Sequence, residues 1–185
     1  MDAAKNRAGW EREESVNQPL VGIVMGSDSD LPIMEEAGGV LNRLKVPHEM
    51  GICSAHRSPD KAAQYVREAE GRGIKVLIAG AGAAAHLAGT LAAQTTLPVI
   101  GIPLSSSPLQ GLDSLLSTVQ MPSGVPVATM ALDRAGARNA AILAAQILAL
   151  FDPELTARLK EHKAAMAREI EEKDRQIKMK FEKRA

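Results

Sequence analysis

The chain is expected to fold as an α/β protein: a three-layer α/β/α sandwich with a parallel, flavodoxin-like sheet and a long C-terminal helix. Three observations carry that expectation. Short apolar runs alternate with helix-period stretches, polar glycine or serine loops follow several of the runs, and the final 34 residues read as a charged rod with one apolar stripe. Strands alternating with helices at intervals of about 30 residues indicate right-handed βαβ units, whose helices cover both faces of the sheet.

Leu20-Val21-Gly22-Ile23-Val24-Met25 is nearly all apolar, as in a strand buried on both faces. Gly26-Ser27-Asp28-Ser29-Asp30 ends it, and a helical pattern then runs to about Leu44, with Pro32 tolerated in the first turn. The unit repeats: Glu49 to Cys53 is a strand, His56 lies in the following loop, and a helix from Pro59 to Arg72 closes at Gly73. Val76–Ala79, Val99–Pro103 and Val127–Ala131 are the remaining strands. Helices are expected at Ala83–Gln94, Leu112–Val119 and Ala137–Phe151.

Asp152-Pro153 restarts a helix, with Asp as N-cap and Pro at the first helical position. A helix of about 30 residues spans roughly 45 Å. Its apolar residues, Leu155, Leu159, Met166, Ile170, Ile177 and Phe181, form one stripe too long to bury on its own domain, so an arm laid over a neighbouring subunit is expected. The division is thus a flexible tail at 1–18, a catalytic α/β domain at 19–151 and a helical arm at 152–185.

The 185 residues carry 22 basic and 22 acidic side chains and only four aromatics, Trp10, Tyr65, Phe151 and Phe181. Neither a phosphate-tracking surface nor base-stacking platforms are evident, which argues against nucleic acid as partner. Cys53 is the single cysteine, excluding an internal disulfide and a thiolate zinc cluster and favouring a reduced, cytoplasmic setting. Residues 1–18 lack the apolar core of a signal peptide. Val76–Ala93 is apolar but interrupted by Gly80, Gly82, Gly89, His86 and Thr90, and reads as buried strand plus helix rather than a membrane span. Between Val76 and Leu132 the only charged residue is Asp113. So large an uncharged stretch calls for cover from other subunits.

In an open parallel sheet, ligands bind beyond the carboxyl ends of the strands. Ser54-Ala55-His56-Arg57-Ser58-Pro59-Asp60 sits there, placing a proton-exchanging imidazole beside a guanidinium fork suited to phosphate or carboxylate. Gly26 to Asp30 fits a phosphate or sugar cradle and fits an ordinary capping loop equally well. Gly80-Ala81-Gly82-Ala83-Ala84-Ala85-His86 allows close approach to backbone but lacks the spacing of a dinucleotide fingerprint. His86 alone reads as a hydrogen-bonded helix histidine, and Ser105-Ser106-Ser107 as a polar loop able to cover a site or as a linker. Cys53 reads as a small apolar filler rather than a nucleophile. His48 and His162 read as surface residues.

Together, Val24–Asp30, Ser54–Asp60, Ala79–Leu87 and Asp113–Pro122 resemble the PurE family of purine biosynthesis, and the likeness runs in order over about residues 20 to 151. The resemblance implies N5-carboxyaminoimidazole ribonucleotide mutase activity, moving a carboxyl group from the exocyclic nitrogen to C4 of an aminoimidazole ribonucleotide without metal or cofactor. It implies His56 as the proton shuttle. Ser27, Ser29, Asp30 and Arg57 would contact phosphate and ribose, and Gly26 and Ser54 in the same loops would also bind substrate. Gly80, Ala81 and Gly82 would line the base pocket, and His86 would support the carboxylate or CO2. It also implies a homo-octamer. A branch of the family carboxylates aminoimidazole ribonucleotide directly with CO2, and is the alternative. A non-catalytic phosphonucleotide-binding module and a Cys53 hydrolase are further readings. The chain departs from the family's usual residues at Ala83 (commonly Gly), Ala88 (commonly Pro), Ser105, Ser123 and Asp133-Arg134.

Overall fold

The computed structural model describes residues 18–182. The proposed N-terminal tail lies outside the described residues except for Gln18. Five strands, β1 (Val21–Met25), β2 (His48–Ile52), β3 (Val76–Gly82), β4 (Val99–Leu104) and β5 (Ala128–Thr129), form one sheet in the order β2-β1-β3-β4-β5. Every pairing is parallel. This is the flavodoxin-like order, which has a topological switch point beside β1.

Alternation along the strands divides the core in two. Val21, Ile23 and Met25 of β1, with Ile78, Ile100 and Ile102, pack under α1 (Leu31–Arg43) and α5 (Asp133–Ala149). Val24, Leu77, Ala79 and Val99 point the other way, to α2 (Pro59–Ala69) and α3 (Leu87–Ala92). Fully burying each such Ile or Leu contributes about 1.5–3 kcal/mol. The buried face of α5 is a row of alanines, Ala137, Ala140, Ala141, Ala144 and Ala145, which lets it lie close to α1. Glu36 on α1 accepts from Arg134 and Arg138 of α5, and Arg138 foremost holds its carboxyl below the ordinary range. α4 (Leu112–Val119) packs beside β4 and β5.

Several boundaries differ from expectation: α5 begins at Asp133 rather than Ala137, and α2 ends at Ala69 rather than Arg72. β3 continues three residues beyond Ala79 because β4 runs alongside it, pairing Gly82 with Leu104. The helix expected from Ala83 begins at Leu87, since Ala83 has a left-handed backbone (φ 51°) that no right-handed helix accommodates. β5, expected over Val127–Ala131, is only Ala128–Thr129, an edge strand paired with β4 alone. His48, expected at the surface, is half-buried, with Nδ1 3.0 Å from the Val46 carbonyl.

α6 (Pro153–Glu182) is capped as anticipated: Asp152 Oδ1 accepts from the amides of Glu154 (2.9 Å) and Leu155 (3.0 Å). Arg158 Nε donates to the Leu44 carbonyl and fastens the first turns to the domain. Beyond Leu159 the stripe is uncovered, with Met166, Ile170, Ile177 and Phe181 all exposed. Among the described residues no helix is long and apolar enough to cross a membrane.

Candidate active site

The carboxyl ends of β1, β2, β3 and β4 open into a cleft of about 500 Å³. After β1 comes the Gly26–Ser27 turn and a single 3-10 turn, Asp28–Asp30, leading into α1. The turn folds on itself through Asp30, whose carboxylate accepts the Ser27 amide (3.1 Å). Asp30 is nearly buried, and burial pushes its carboxyl above the ordinary range. The Ser27 amide, the Ser29 hydroxyl and the Gly26 amide pull it back down, with a smaller contribution from Arg57. Asp28, by contrast, is held below the ordinary range, chiefly by the Ser27 hydroxyl.

After β2, Cys53 is still core, its amide on the Met25 carbonyl and its thiol pushed up by burial. Ser54 then organises the turn: its hydroxyl accepts the Arg57 amide (3.1 Å) and its carbonyl the Ser58 amide (3.0 Å). Pro59 follows at the start of α2. This arrangement projects His56 and Arg57 over the cleft, and Arg57 Nη2 donates to the Gly26 carbonyl (2.8 Å), tying the first two loops together. Among the described residues no carboxylate forms an ion pair with Arg57. A guanidinium so placed can present its other N–H groups to a phosphate.

After β3, the loop from Ala83 brings His86 to His56. Their Nε2 and Nδ1 atoms are 2.8 Å apart and the rings stand nearly perpendicular, at 81°. At that separation one proton lies between the two nitrogens, so one imidazole donates and the other accepts.

Of the residues singled out in the sequence, Gly26, Ser27, Ser29, Asp30, Ser54, His56, Arg57, Ala81, Gly82 and His86 all line the cleft. Gly80 does not. Two residues deeper in β3 than Gly82, it is closed off by Met34 of α1, whose side chain leaves no room for an added Cβ. Ala55, Ala83, Ala84, Leu87 and Ser106 complete the wall. Ser106 was the one polar member not assigned to the site from sequence, and its only signal was the serine run after a strand. Its side chain lies directly over Gly82, where a Cβ would stand 1.8 Å from its Oγ. Among the described residues no three His, Cys, Asp or Glu side chains converge as metal ligands. The arrangement can therefore hold a phosphorylated polar ligand at the Ser27–Arg57 end and exchange a proton with it at the histidines.

Comparison with known proteins identifies the family. The AIR carboxylase family model matches residues 20–169. The N5-carboxyaminoimidazole ribonucleotide mutase of Pyrococcus horikoshii is 56% identical over 160 residues, covering 86% of this chain and 89% of the relative. The protein of the same name from Bacillus subtilis is 58% identical over 146 residues, covering 79% and 90%. Among solved structures, PurE of Treponema denticola superposes with a TM-score of 0.77 at 30% identity, over 85% of this chain and 98% of that one. A family model spanning the whole α/β domain, together with relatives this similar over most of their length, means that the chain belongs to the AIR carboxylase family.

Proposed function

We propose that the chain is an N5-carboxyaminoimidazole ribonucleotide mutase of purine biosynthesis, acting without cofactor. The observation that carries this reading is the meeting of His56, Arg57 and the Ser27–Asp30 turn in one cleft, in a chain 56% identical to a relative of that name. In this mechanism Arg57 and the Ser27–Ser29 loop at the start of α1 bind the phosphate, with Asp30 toward the ribose. His56 gives a proton to the exocyclic nitrogen as its bond to the carboxylate breaks and CO2 departs. C4 of the imidazole then forms a bond to that CO2, and the C4 proton returns to His56. Atoms and charge balance with no other reactant, and acid/base help of this kind is worth about 10²–10⁴-fold. His86 holds the His56 ring and its tautomer, in addition to facing the carboxylate.

Free CO2 must not escape during the reaction. Both histidines are exposed in the single chain, so a further cover is needed. Exposed Leu109, Leu112, Leu116 and Val119 around α4, and the groove between α5 and α6, are surfaces that other copies would cover. They support a homo-oligomer, with the octamer as the specific assembly, and α6 as an arm on a neighbour. A cytoplasmic location accords with a substrate from nucleotide metabolism and an unpaired Cys53.

The deciding experiment supplies the carbamate substrate together with labelled bicarbonate. Formation of 4-carboxyaminoimidazole ribonucleotide with little label is the expected result. Heavy label would make the chain a direct carboxylase, and binding without product would make it a ligand-binding module.

A further inference from the structure

Ser105 lies at the end of β4 and Asp133 at the first residue of α5. They are joined twice: the Ser105 amide donates to Asp133 Oδ1 (2.8 Å) and the Ser105 hydroxyl to Asp133 Oδ2. Asp133 holds this position in a left-handed backbone conformation, φ 54°. That conformation costs an ordinary L-residue about 1–2 kcal/mol, although Asp tolerates it better than most. The strained backbone thus accompanies a carboxylate aimed at one neighbour. The next residue along is Ser106, which lines the cleft and lies over Gly82. From Ser105 to Gln110 the loop is largely exposed; beyond Ser106 it is held by its own turn, in which the Ser107 hydroxyl and carbonyl accept the Leu109 and Gln110 amides, so the Asp133 contact is what ties the Ser105–Ser106 end to another element. Both Ser105 and Asp133 are among the residues that the sequence marked as unusual, and neither enters the proton chemistry.

We propose that Asp133 is a positioning residue for substrate binding, acting through Ser105 to hold the Ser106 hydroxyl at the cleft wall beside Gly82. The inference rests on the mutase reading for its ligand. It predicts that one substitution weakens binding without a matching loss of stability. Asp133→Gly removes the tether but suits φ 54°, so its melting temperature stays at or near the parent's while the KM for the carbamate rises about tenfold, the scale of one hydrogen bond that a displaced Ser106 hydroxyl no longer makes to the substrate. kcat changes little. Asp133→Asn keeps an oxygen for the Ser105 amide and restores a KM near the parent's. Because the effect passes through Ser106, Asp133→Gly adds no further rise in KM on a Ser106→Ala background.

An unchanged KM in Asp133→Gly overturns the proposal. So does an equal rise with and without Ser106, or a fall in melting temperature that accounts for the whole effect. Should the parent itself fail to convert the carbamate, the functional reading fails separately. The tether is then decided by amide hydrogen exchange: faster exchange across 105–107 in Asp133→Gly supports it, and unchanged exchange overturns it.

Discussion

His56 Nε2 and His86 Nδ1 lie 2.8 Å apart although β2 and β3, whose loops carry them, are separated in the sheet by β1. Within this pair His56 alone adjoins Arg57, and in the proposed mechanism His86 sets which His56 nitrogen carries the proton. The two histidines are therefore expected to differ in effect. His56→Asn should lower kcat by about 10²–10⁴-fold while still binding product, since it removes the acid/base group. His86→Ala should lower kcat less, because His56 remains but its tautomer is no longer held. Single-turnover rates and product binding by calorimetry separate the cases; a larger loss in His86→Ala would exchange the two roles.

Arg57 is expected to contribute to binding rather than to the proton step. Its guanidinium is oriented by the Gly26 carbonyl and lines the cleft beside the Ser27 turn. Arg57→Leu should raise KM by roughly ten- to a hundredfold, as for loss of a hydrogen bond to a charged group, with a smaller change in kcat. Arg57→Lys should recover only part of this, because an ammonium cannot reproduce the fork. A change in kcat alone would move Arg57 into the chemistry.

Asp30 should cost the protein stability at neutral pH. Burial raises its folded-state pKa above the unfolded value despite the Ser27 and Ser29 hydrogen bonds. A group raised in this way favours the fold below its unfolded pKa, and that contribution is lost as pH rises through the folded pKa. Asp30→Asn keeps an acceptor for the Ser27 amide, so it should melt above the parent near neutral pH while losing substrate affinity. The gap should close as the medium is acidified through the carboxylate range. A gap independent of pH would show that the carboxylate charge is not its cause.

The layers and most strands were legible because a strand buried on both faces leaves a short apolar run between polar loops, as Val21–Met25 does between Gln18 and Gly26. The loops carrying His56 and Ser27 were legible for the same reason: each interrupts a clear run. What sequence could not carry was the pairing of His56 with His86, which depends on how far two non-adjacent strands extend. Nor could it say that Gly80 would be closed off by Met34 while Gly82 lines the cleft. Strand alternation puts the two on one face, so only the actual end of β3 decides which glycine is at the rim. Ser106 was missed because a hydroxyl run looks the same in a linker as in a wall.

Ala83 offers the last test, because it carries a methyl group where the backbone favours glycine. Its φ of 51° lies in the left-handed region, and it belongs to the cleft wall just past Gly82. For an L-residue that conformation costs about 1–2 kcal/mol, offset in part by the greater freedom that glycine loses on folding. Ala83→Gly should therefore stabilise the chain by up to about 1 kcal/mol. The proton-bearing groups are untouched, so kcat should remain close to the parent's, while KM reports whether the Ala83 methyl touches the substrate. Thermal unfolding and steady-state kinetics on the same samples check both. A destabilised Ala83→Gly would mean that the loop between β3 and α3 depends on packing by that methyl more than on its backbone conformation.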